Sequence, residues 1–235
     1  MTQLALAIDG LRAGYGEALV LRDVELGIST GEIFTVLGKN GMGKSTLLKT
    51  LMGFLPVKAG RVASFGRDIT GLPPHRVARR AIAYTPQEQS LFQDLTVQEN
   101  LELGLPDRRG FEAALRRVGE FFPFLPQRLG QRAGTLSGGE QKMLLISRAL
   151  MARPRLMLID EISEGLQPSV VDRLAGVLRA ERAATDVSVL LIEQNIKFAL
   201  AVADRYAVLQ LGEIVDRGAV DGPDTAASIA AHLSV

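Results

Sequence analysis

Residues 38–46 of this chain have the residue types and spacing of a loop that binds phosphate; in order they are Gly38, Lys39, Asn40, Gly41, Met42, Gly43, Lys44, Ser45 and Thr46. Glycines allow successive backbone N–H groups to turn toward one anion, and a helix that begins at Lys44 adds unpaired donors and a positive dipole end. In this pattern the Lys44 ammonium reaches the β- and γ-phosphates of a nucleotide, and the Ser45 hydroxyl can ligate Mg²⁺. We therefore predict nucleotide binding.

Two carboxylates, Asp160 and Glu161, directly follow a continuous apolar run over 156–159. An apolar run without alternation is typical of a parallel strand that is buried on both faces. Ligands of open α/β sheets bind beyond the carboxyl ends of such strands. Asp160 is therefore predicted to hold Mg²⁺, directly or through water, and Glu161 to polarise an attacking water.

Ser137 and Glu140 have the spacing of a capping box for a helix expected over about 138–150. A purely structural interpretation is that they satisfy the first N–H groups of that helix. A functional interpretation uses the same geometry, because the adjacent Gly138 and Gly139 leave N–H groups at the helix start open to a phosphate. Both can hold, since a cap can keep the donors in place.

Strand-like and helical stretches alternate along most of the chain, which predicts an α/β fold with a mainly parallel sheet. The strands expected in that sheet include 32–37, 81–85, 156–159 and 187–192. Two strands over 4–13 and 18–28 should form an antiparallel hairpin ahead of the phosphate loop, and a further short strand is expected over 61–65.

Residues 88–135 differ from the rest of the chain in sequence pattern, because they consist of short helical stretches separated by glycines and prolines. We therefore predict a single domain over 1–235, with a nucleotide-binding core formed by 1–87 and 136–235 and an inserted helical subdomain at about 88–135. The insertion is locally basic, which usually marks a solvated helical face and less often a docking surface. The arginines concerned are Arg108, Arg109, Arg116, Arg117, Arg128 and Arg132.

The composition excludes several classes of protein. The chain of 235 residues is 47% hydrophobic and 23% charged, as in a soluble globular protein. A formal net charge of +1 gives no general reason to expect a nucleic acid partner. The absence of cysteine excludes disulfides and thiolate metal sites. No apolar stretch approaches the ~20 residues of a spanning helix and no signal peptide is evident, so at a membrane this chain would dock on another protein.

Together these stretches resemble the ATP-binding subunits of ABC transporters, and the resemblance covers essentially the whole chain. Residues 38–46 resemble the Walker A loop, and 156–161 resemble Walker B with its catalytic glutamate. Residues 136–141, Leu-Ser-Gly-Gly-Glu-Gln, match the signature sequence that separates this family from other P-loop proteins. The resemblance implies a P-loop NTPase core with a mainly parallel sheet, an N-terminal antiparallel β part and a helical subdomain.

The resemblance also implies roles for single residues. Tyr15, which alone would be a typical hairpin aromatic, matches the ring that stacks on adenine. Gln87 matches the glutamine that senses Mg²⁺ and the attacking water, and 163–166 fall at the loop that crosses between two subunits. Gln194 stands where most relatives carry a switch histidine; glutamine can hydrogen-bond a γ-phosphate oxygen but carries no proton at physiological pH.

The implied cofactors are ATP and Mg²⁺, and the implied site has four groups of residues. The catalytic residues are Glu161, Gln87 and Gln194; the Mg²⁺ ligands are Ser45, Gln87 and Asp160; the ATP contacts are Tyr15 and every residue of 38–46; and Ser137, Gly138, Gly139 and Glu140 face ATP on a partner subunit.

The implied mechanism needs partners. Two nucleotide-binding subunits, identical or homologous, face each other head to tail, with each ATP between Walker A of one and the signature helix of the other. Hydrolysis removes the γ-phosphate and with it the electrostatic reason for closure. The dimer would drive membrane-spanning permease subunits. A solute-binding protein would deliver the solute to these subunits. The chain would then be peripheral on the cytoplasmic face of the cell membrane, cytoplasmic when isolated, and without a nucleic acid partner.

Within the family, several stretches resemble importers of branched-chain amino acids and the related importers of urea and short amides, namely 38–43, 51–53, 95–101, 163–166 and 191–195. We expect a cargo of branched-chain or hydrophobic amino acids, with urea or short amides as the alternative. A soluble ABC ATPase acting on nucleic acid or the ribosome is the alternative of another class, and Gln194 leaves open a non-catalytic nucleotide sensor. Ile162 replaces the usual proline after the glutamate, and Met42 occupies a position that is often alanine.

Overall fold

The computed structural model describes residues 3–87, 91–105 and 107–234. Its strands are β1 Leu4–Ala13, β2 Leu21–Ser29, β3 Ile33–Leu37, β4 Val57–Ser64, β5 Arg67–Asp68, β6 Ile82–Thr85, β7 Leu156–Asp160, β8 Ser188–Glu193, β9 Arg205–Gln210 and β10 Glu213–Ala219. Its α-helices are α1 Lys44–Leu51, α2 Pro74–Ala78, α3 Val97–Glu102, α4 Phe111–Phe121, α5 Phe124–Gln127, α6 Gly138–Met151, α7 Pro168–Thr185, α8 Ile196–Val202 and α9 Pro223–Ser234. Within these ranges, no helix is long and apolar enough to cross a membrane.

The larger sheet has six strands in the order β10-β9-β3-β8-β7-β6. All of its neighbouring pairs are parallel except β9 with β10, which confirms the predicted α/β fold with a mainly parallel sheet. The strand β7 is buried along its whole length because its side chains enter two cores alternately. Met157 and Ile159 face one core and Leu156 and Leu158 the other. This packing explains the apolar run without alternation.

The register of the sheet decides which residues meet at its carboxyl edge. Leu37, which ends β3, pairs with Glu193 of β8, and Asp160 of β7 pairs with Ile192. The phosphate loop, Asp160 and Glu193 therefore leave neighbouring strands on the same side, where ligands of open α/β sheets bind.

The smaller sheet is antiparallel, with the order β2-β1-β4-β5. The sequence predicts a strand only over 61–65, but β4 begins at Val57. Gly60, which directly precedes the predicted strand, lies inside β4 with φ +88, and a Cβ there would lie 2.3 Å from the carbonyl oxygen of Gly10. Gly60 therefore permits a close approach of two strands. This sheet and α1 cover one face of the larger sheet.

Helices from the insertion and from the C-terminal half cover the other face. Val97 and Leu101 of α3 and Leu115 and Val118 of α4 share one core with residues of α6, α7, β7 and β8. The predicted start of the insertion at 88 lies outside the described residues, and the division into core and insertion stays a prediction.

Four of the six arginines of the insertion have acidic partners. Arg108 pairs with Glu102, Arg109 with Asp107, Arg117 with Glu181 and Arg128 with Glu140. The Arg117 pair is largely buried and joins α4 to α7. These contacts favour the structural interpretation of the local basic character over a docking surface.

Candidate functional site

The phosphate loop runs between the end of β3 and the start of α1, and contacts on both sides hold its backbone. A Cβ at Gly38 would lie 2.6 Å from the carbonyl oxygen of Leu209, so only glycine fits there. The residue before α1, Gly43, has φ +102, and no side chain of the described residues caps the helix. The first N–H groups of α1 are therefore available to an anion.

Met42, at a position that is often alanine, contacts the turn between β9 and β10 through both its backbone and its side chain. Its carbonyl oxygen accepts a hydrogen bond from the N–H of Gly212 at 3.1 Å, and its sulfur lies 3.3 Å from the N–H of Leu211. The turn between β9 and β10 thus anchors the phosphate loop. The sequence interpretation missed this contact because it joins positions about 170 residues apart.

Lys44 and Glu161 form a buried ion pair at the centre of the site. The Lys44 Nζ is 2.9 Å from a Glu161 carboxylate oxygen, and each side chain is 4% exposed. The same Nζ also donates to the carbonyl oxygen of Lys39 at 2.9 Å. A phosphate that engages Lys44 must therefore compete with Glu161 for the same charge.

Two amide side chains converge on the same carboxylate. Gln87 donates to Glu161 at 2.9 Å, and Gln194 donates to both carboxylate oxygens at 3.2 Å. Gln194 also donates to the Asn40 side chain in the phosphate loop. The Glu161 backbone has φ +45, which is uncommon outside glycine. The three residues predicted to be catalytic thus lie together, with Gln87 and Gln194 both donating to the carboxylate oxygens of Glu161.

The residues predicted to hold Mg²⁺ are chemically suited to it. The Ser45 hydroxyl donates to Asp160 at 3.3 Å, and burial, with the nearby Glu161 charge, raises the pKa of Asp160 to about 6. Hydroxyl, carboxylate and the Gln87 amide oxygen are all hard donors. The described residues contain no cluster of three or more histidine and acidic side chains that could hold a metal ion on its own.

Ser137 caps α6 as the sequence predicts. Its Oγ accepts the Glu140 N–H at 3.3 Å, and its own N–H donates to the Glu140 carboxylate at 2.9 Å; that hydrogen bond is the main reason the pKa of Glu140 is lowered. Ser137 and Gly138 are exposed. Among the contacts of the described residues, no hydrogen bond or ion pair joins 137–140 to 38–46. Within one chain, the capped start of α6 and the phosphate loop are therefore two segments without a direct polar contact between described residues.

Tyr15 lies on the turn between β1 and β2, and its side chain is exposed. Val20 and Leu21, which follow this turn, approach the phosphate loop closely, since a Cβ at Gly43 would lie 3.2 Å from each of them. The turn that carries Tyr15 thus adjoins the phosphate loop, and the ring is accessible to a ligand.

Sequence reasoning missed Glu193, which ends β8 and is 2% exposed. It accepts hydrogen bonds from the Ser163 N–H at 3.1 Å and the Ser163 hydroxyl at 2.8 Å. It therefore fixes the start of the 163–166 loop. Burial raises the pKa of Glu193 to about 7. Its position at the carboxyl end of a central strand is a signal that could have identified it.

Gln87 has two further contacts that sequence reasoning missed. Its carbonyl oxygen accepts from the Lys142 Nζ on α6 at 3.0 Å, and its side chain donates to Glu164 at 2.7 Å. Burial lowers the pKa of Lys142. Gln87 thus connects Glu161 to the capped helix α6 and to the 163–166 loop, so that a shift in one can reach the others.

The raised pKa of Glu193 predicts a pH-dependent stability. The folded protein holds a proton on Glu193 up to about pH 7, whereas the unfolded chain releases it near 4.5. The stability from this proton is complete below pH 4.5 and is lost as pH rises through 7. In chemical denaturation, the free energy of unfolding of Glu193→Gln should therefore increase relative to that of the wild type as pH rises, by about 3 kcal/mol at pH 8. Glu213→Gln, at an exposed position, is the control; a difference that stays constant with pH would contradict the expectation.

Comparisons with known proteins agree with the motifs. The family model for ABC transporters matches residues 21–164. The chain is 43% identical to the high-affinity branched-chain amino acid transport ATP-binding protein BraG of Pseudomonas aeruginosa, over 91% of this chain and 93% of that protein. It is 36% identical to the probable branched-chain amino acid transport ATP-binding protein LivF of Archaeoglobus fulgidus, over 88% and 89%. The solved structure of an ATP-binding cassette of an ABC transporter in its ADP conformation has a TM-score of 0.87 and 26% identity, covering all of this chain and 97% of that one.

Proposed function

Because the chain belongs to the ABC transporter family of ATPases, we propose that it is the ATP-hydrolysing subunit of a membrane importer for branched-chain or other hydrophobic amino acids. The observation that carries the proposal is the convergence of Lys44, Gln87 and Gln194 on Glu161 at the carboxyl edge of the sheet. A phosphate-binding cation and two amide groups around one carboxylate suit the activation of water next to a terminal phosphate.

In the proposed reaction, the phosphate loop and α1 bind the triphosphate, and Lys44 neutralises its β- and γ-phosphates. Ser45, Asp160 and Gln87 would hold Mg²⁺, which would supply positive charge to offset the charge on the phosphates. Glu161 accepts the hydrogen bond of the attacking water and orients it. Gln194 would donate a hydrogen bond to the γ-phosphate. Its hydrogen bond to Asn40 of the phosphate loop supports this role, because it places the amide beside that loop.

We propose that the ATP site is completed by a second subunit. The separation of 137–140 from 38–46 within one chain supports this, because an exposed, capped helix start offers its N–H groups outward. In a head-to-tail pair, these groups on each subunit would reach the γ-phosphate held by the other.

We propose that a permease subunit docks in a groove of this chain that lies between β6, α3 and α6. It is lined by mostly apolar residues that include Tyr84, Leu103 and Leu145. Leu103 at its rim is 56% exposed, and nearby Phe54, with its ring centre 6.1 Å from that of Tyr84, is 55% exposed. Because Tyr84 of this apolar groove lies three residues before Gln87 along the chain, a permease helix bound in the groove would be coupled to the ATP site.

The proposed cargo rests on the relatives that are named as branched-chain amino acid transport proteins. The test is to purify the native complex and to measure binding of leucine, isoleucine, valine and urea to its solute-binding subunit. Leucine-class binding with ATP-dependent uptake is the expected result. Preference for urea would instead favour the urea or short-amide alternative.

Lys44→Ala should weaken ATP binding by about 10- to 100-fold, because a charge-assisted hydrogen bond is worth ~1.5–3 kcal/mol. Isothermal titration of the purified chain with ATP measures this. Arg173→Ala, at an exposed position on α7, is the control with the same change of charge. The double variant Lys44→Ala/Glu161→Gln removes both charges of the buried pair and should bind as weakly as Lys44→Ala. An unchanged Kd in both variants would remove Lys44 from the site.

A further inference from the structure

A cavity of about 660 Å³, away from the proposed ATP site, is lined by five arginines, and no acidic residue is among the described residues that line it. The arginines are Arg67, Arg76, Arg79, Arg80 and Arg155. All five are exposed, and none of them forms an ion pair with another described residue. Because the whole chain has a formal net charge of +1, this arginine cavity concentrates a positive charge that is balanced elsewhere.

The arginine cavity lies at the opposite edge of the larger sheet from the carboxylates of the ATP site. It includes Ala81, which precedes β6, and Arg155, which precedes β7, and the Arg155 N–H donates to the Ala81 carbonyl oxygen at 2.8 Å. The residues before two parallel strands therefore line this cavity, whereas Asp160 ends β7 and Gln87 follows β6 at the opposite, carboxyl edge of the sheet. A ligand here would not share residues with the bound nucleotide.

One arginine of the cavity is held in place. The Arg155 guanidinium stacks on the Phe65 ring with 3.7 Å between its central carbon and the ring centre. Stacking fixes the guanidinium plane and leaves its N–H edge for an anion. Phe65 and Ala81 both adopt positive φ, 47° and 57°, a conformation that is unfavourable for residues with a Cβ and that recurs at binding sites.

The ordinary role of arginines at a helix end explains only part of this set. Arg76, Arg79 and Arg80 lie within or just after α2, where cations favour the carboxyl end of the helix. Arg67 on β5 and Arg155 before β7 are outside that helix. Like charges around one cavity repel each other, so an anion that enters it relieves that repulsion at all five positions.

We propose that the arginine cavity binds a ligand with two or more clustered phosphate groups, either free in solution or as the headgroup of a lipid. Guanidinium groups bind phosphate oxygens in pairs of parallel hydrogen bonds, and the volume is that of a small-molecule site. The five arginines come from three separate segments of the chain, so several phosphate groups could be engaged from different sides.

The test uses the full chain with saturating ADP and Mg²⁺, so that the phosphate loop is occupied. One arm titrates inorganic tripolyphosphate by calorimetry. The other arm measures sedimentation with vesicles of phosphatidylcholine, with and without the diphosphate lipid cardiolipin. The cavity variant is Arg79→Gln/Arg80→Gln/Arg155→Gln. The control is Arg116→Gln/Arg132→Gln/Arg173→Gln, which removes the same charge from exposed positions elsewhere.

Binding of tripolyphosphate that weakens at least about 100-fold in the cavity variant, and little in the control, is expected for a soluble ligand. Cardiolipin-dependent sedimentation with the same variant pattern, without binding of tripolyphosphate, assigns the site to a headgroup. No binding in either arm, or equal losses in both variants, would overturn the proposal. Unchanged ATP affinity in the cavity variant excludes misfolding as the cause of a loss.

Discussion

Glu161→Gln should lower ATP hydrolysis by at least about 100-fold, the lower range of what a positioned general base contributes. The amide keeps the shape of the carboxylate but cannot take the proton of water. ATP binding should persist and can become tighter, because Lys44 loses the anion that competes with phosphate. With binding intact and hydrolysis blocked, the ATP-bound dimer should accumulate and be visible by light scattering.

The matched control is Glu164→Gln, which makes the same change of charge three residues away on a side chain that also accepts from Gln87. It should reduce turnover far less than Glu161→Gln. Both variants are measured in the isolated chain and in the complex with its membrane partners, since partners can stimulate the reaction. Wild-type turnover in Glu161→Gln would remove Glu161 from its proposed role.

Ser137→Arg should leave ATP binding to the single chain unchanged but prevent the closed dimer. The substitution lies at the exposed start of α6, which makes no hydrogen bond or ion pair to its own phosphate loop among the described residues. A dimer contains two such sites, and each would lose a charge-assisted hydrogen bond worth ~1.5–3 kcal/mol. In the Glu161→Gln background, the dimer dissociation constant should therefore rise at least about 100-fold.

Loss of the helix cap is a separate effect of Ser137→Arg that needs its own control. Ser137 caps α6, and removing such a cap costs about 1 kcal/mol of stability. Thr96→Arg provides the control, because Thr96 and Glu99 form the same capping box on α3. Thr96→Arg should lose comparable stability but still dimerise. Equal dimerisation of Ser137→Arg and wild type would mean that one chain provides a complete ATP site.

The parts of the fold that the sequence predicts correctly are those with local causes. The apolar run of β7 requires burial on both faces, and the Ser137–Glu140 spacing requires a helix start; the structure contains both. The early start of β4 was missed because Gly60 reads as a break until Gly10 is known to lie against it. Whether a glycine ends a strand or permits close packing depends on its neighbour in space.

The features of the site that the sequence did not predict are contacts between distant positions. Glu193 and Ser163 are 30 residues apart, and no local pattern links them. Arginines close together in the sequence occur at 108–132, where most of them have acidic partners. The arginines of the arginine cavity come from 67–80 and 155, which adjoin only after β6 and β7 pair, and among the described residues they have no ion-pair partner.

The buried pair of Lys44 and Glu161 has a consequence for the timing of catalysis. As long as the carboxylate neutralises the lysine, its oxygens point at a cation and at two amides instead of at water. A triphosphate that binds the Lys44 ammonium would break this ion pair and release the Glu161 carboxylate when ATP is present. ATP binding would thus activate the catalytic residue: Glu161 would be free to orient water only after the phosphates of ATP have displaced it from Lys44.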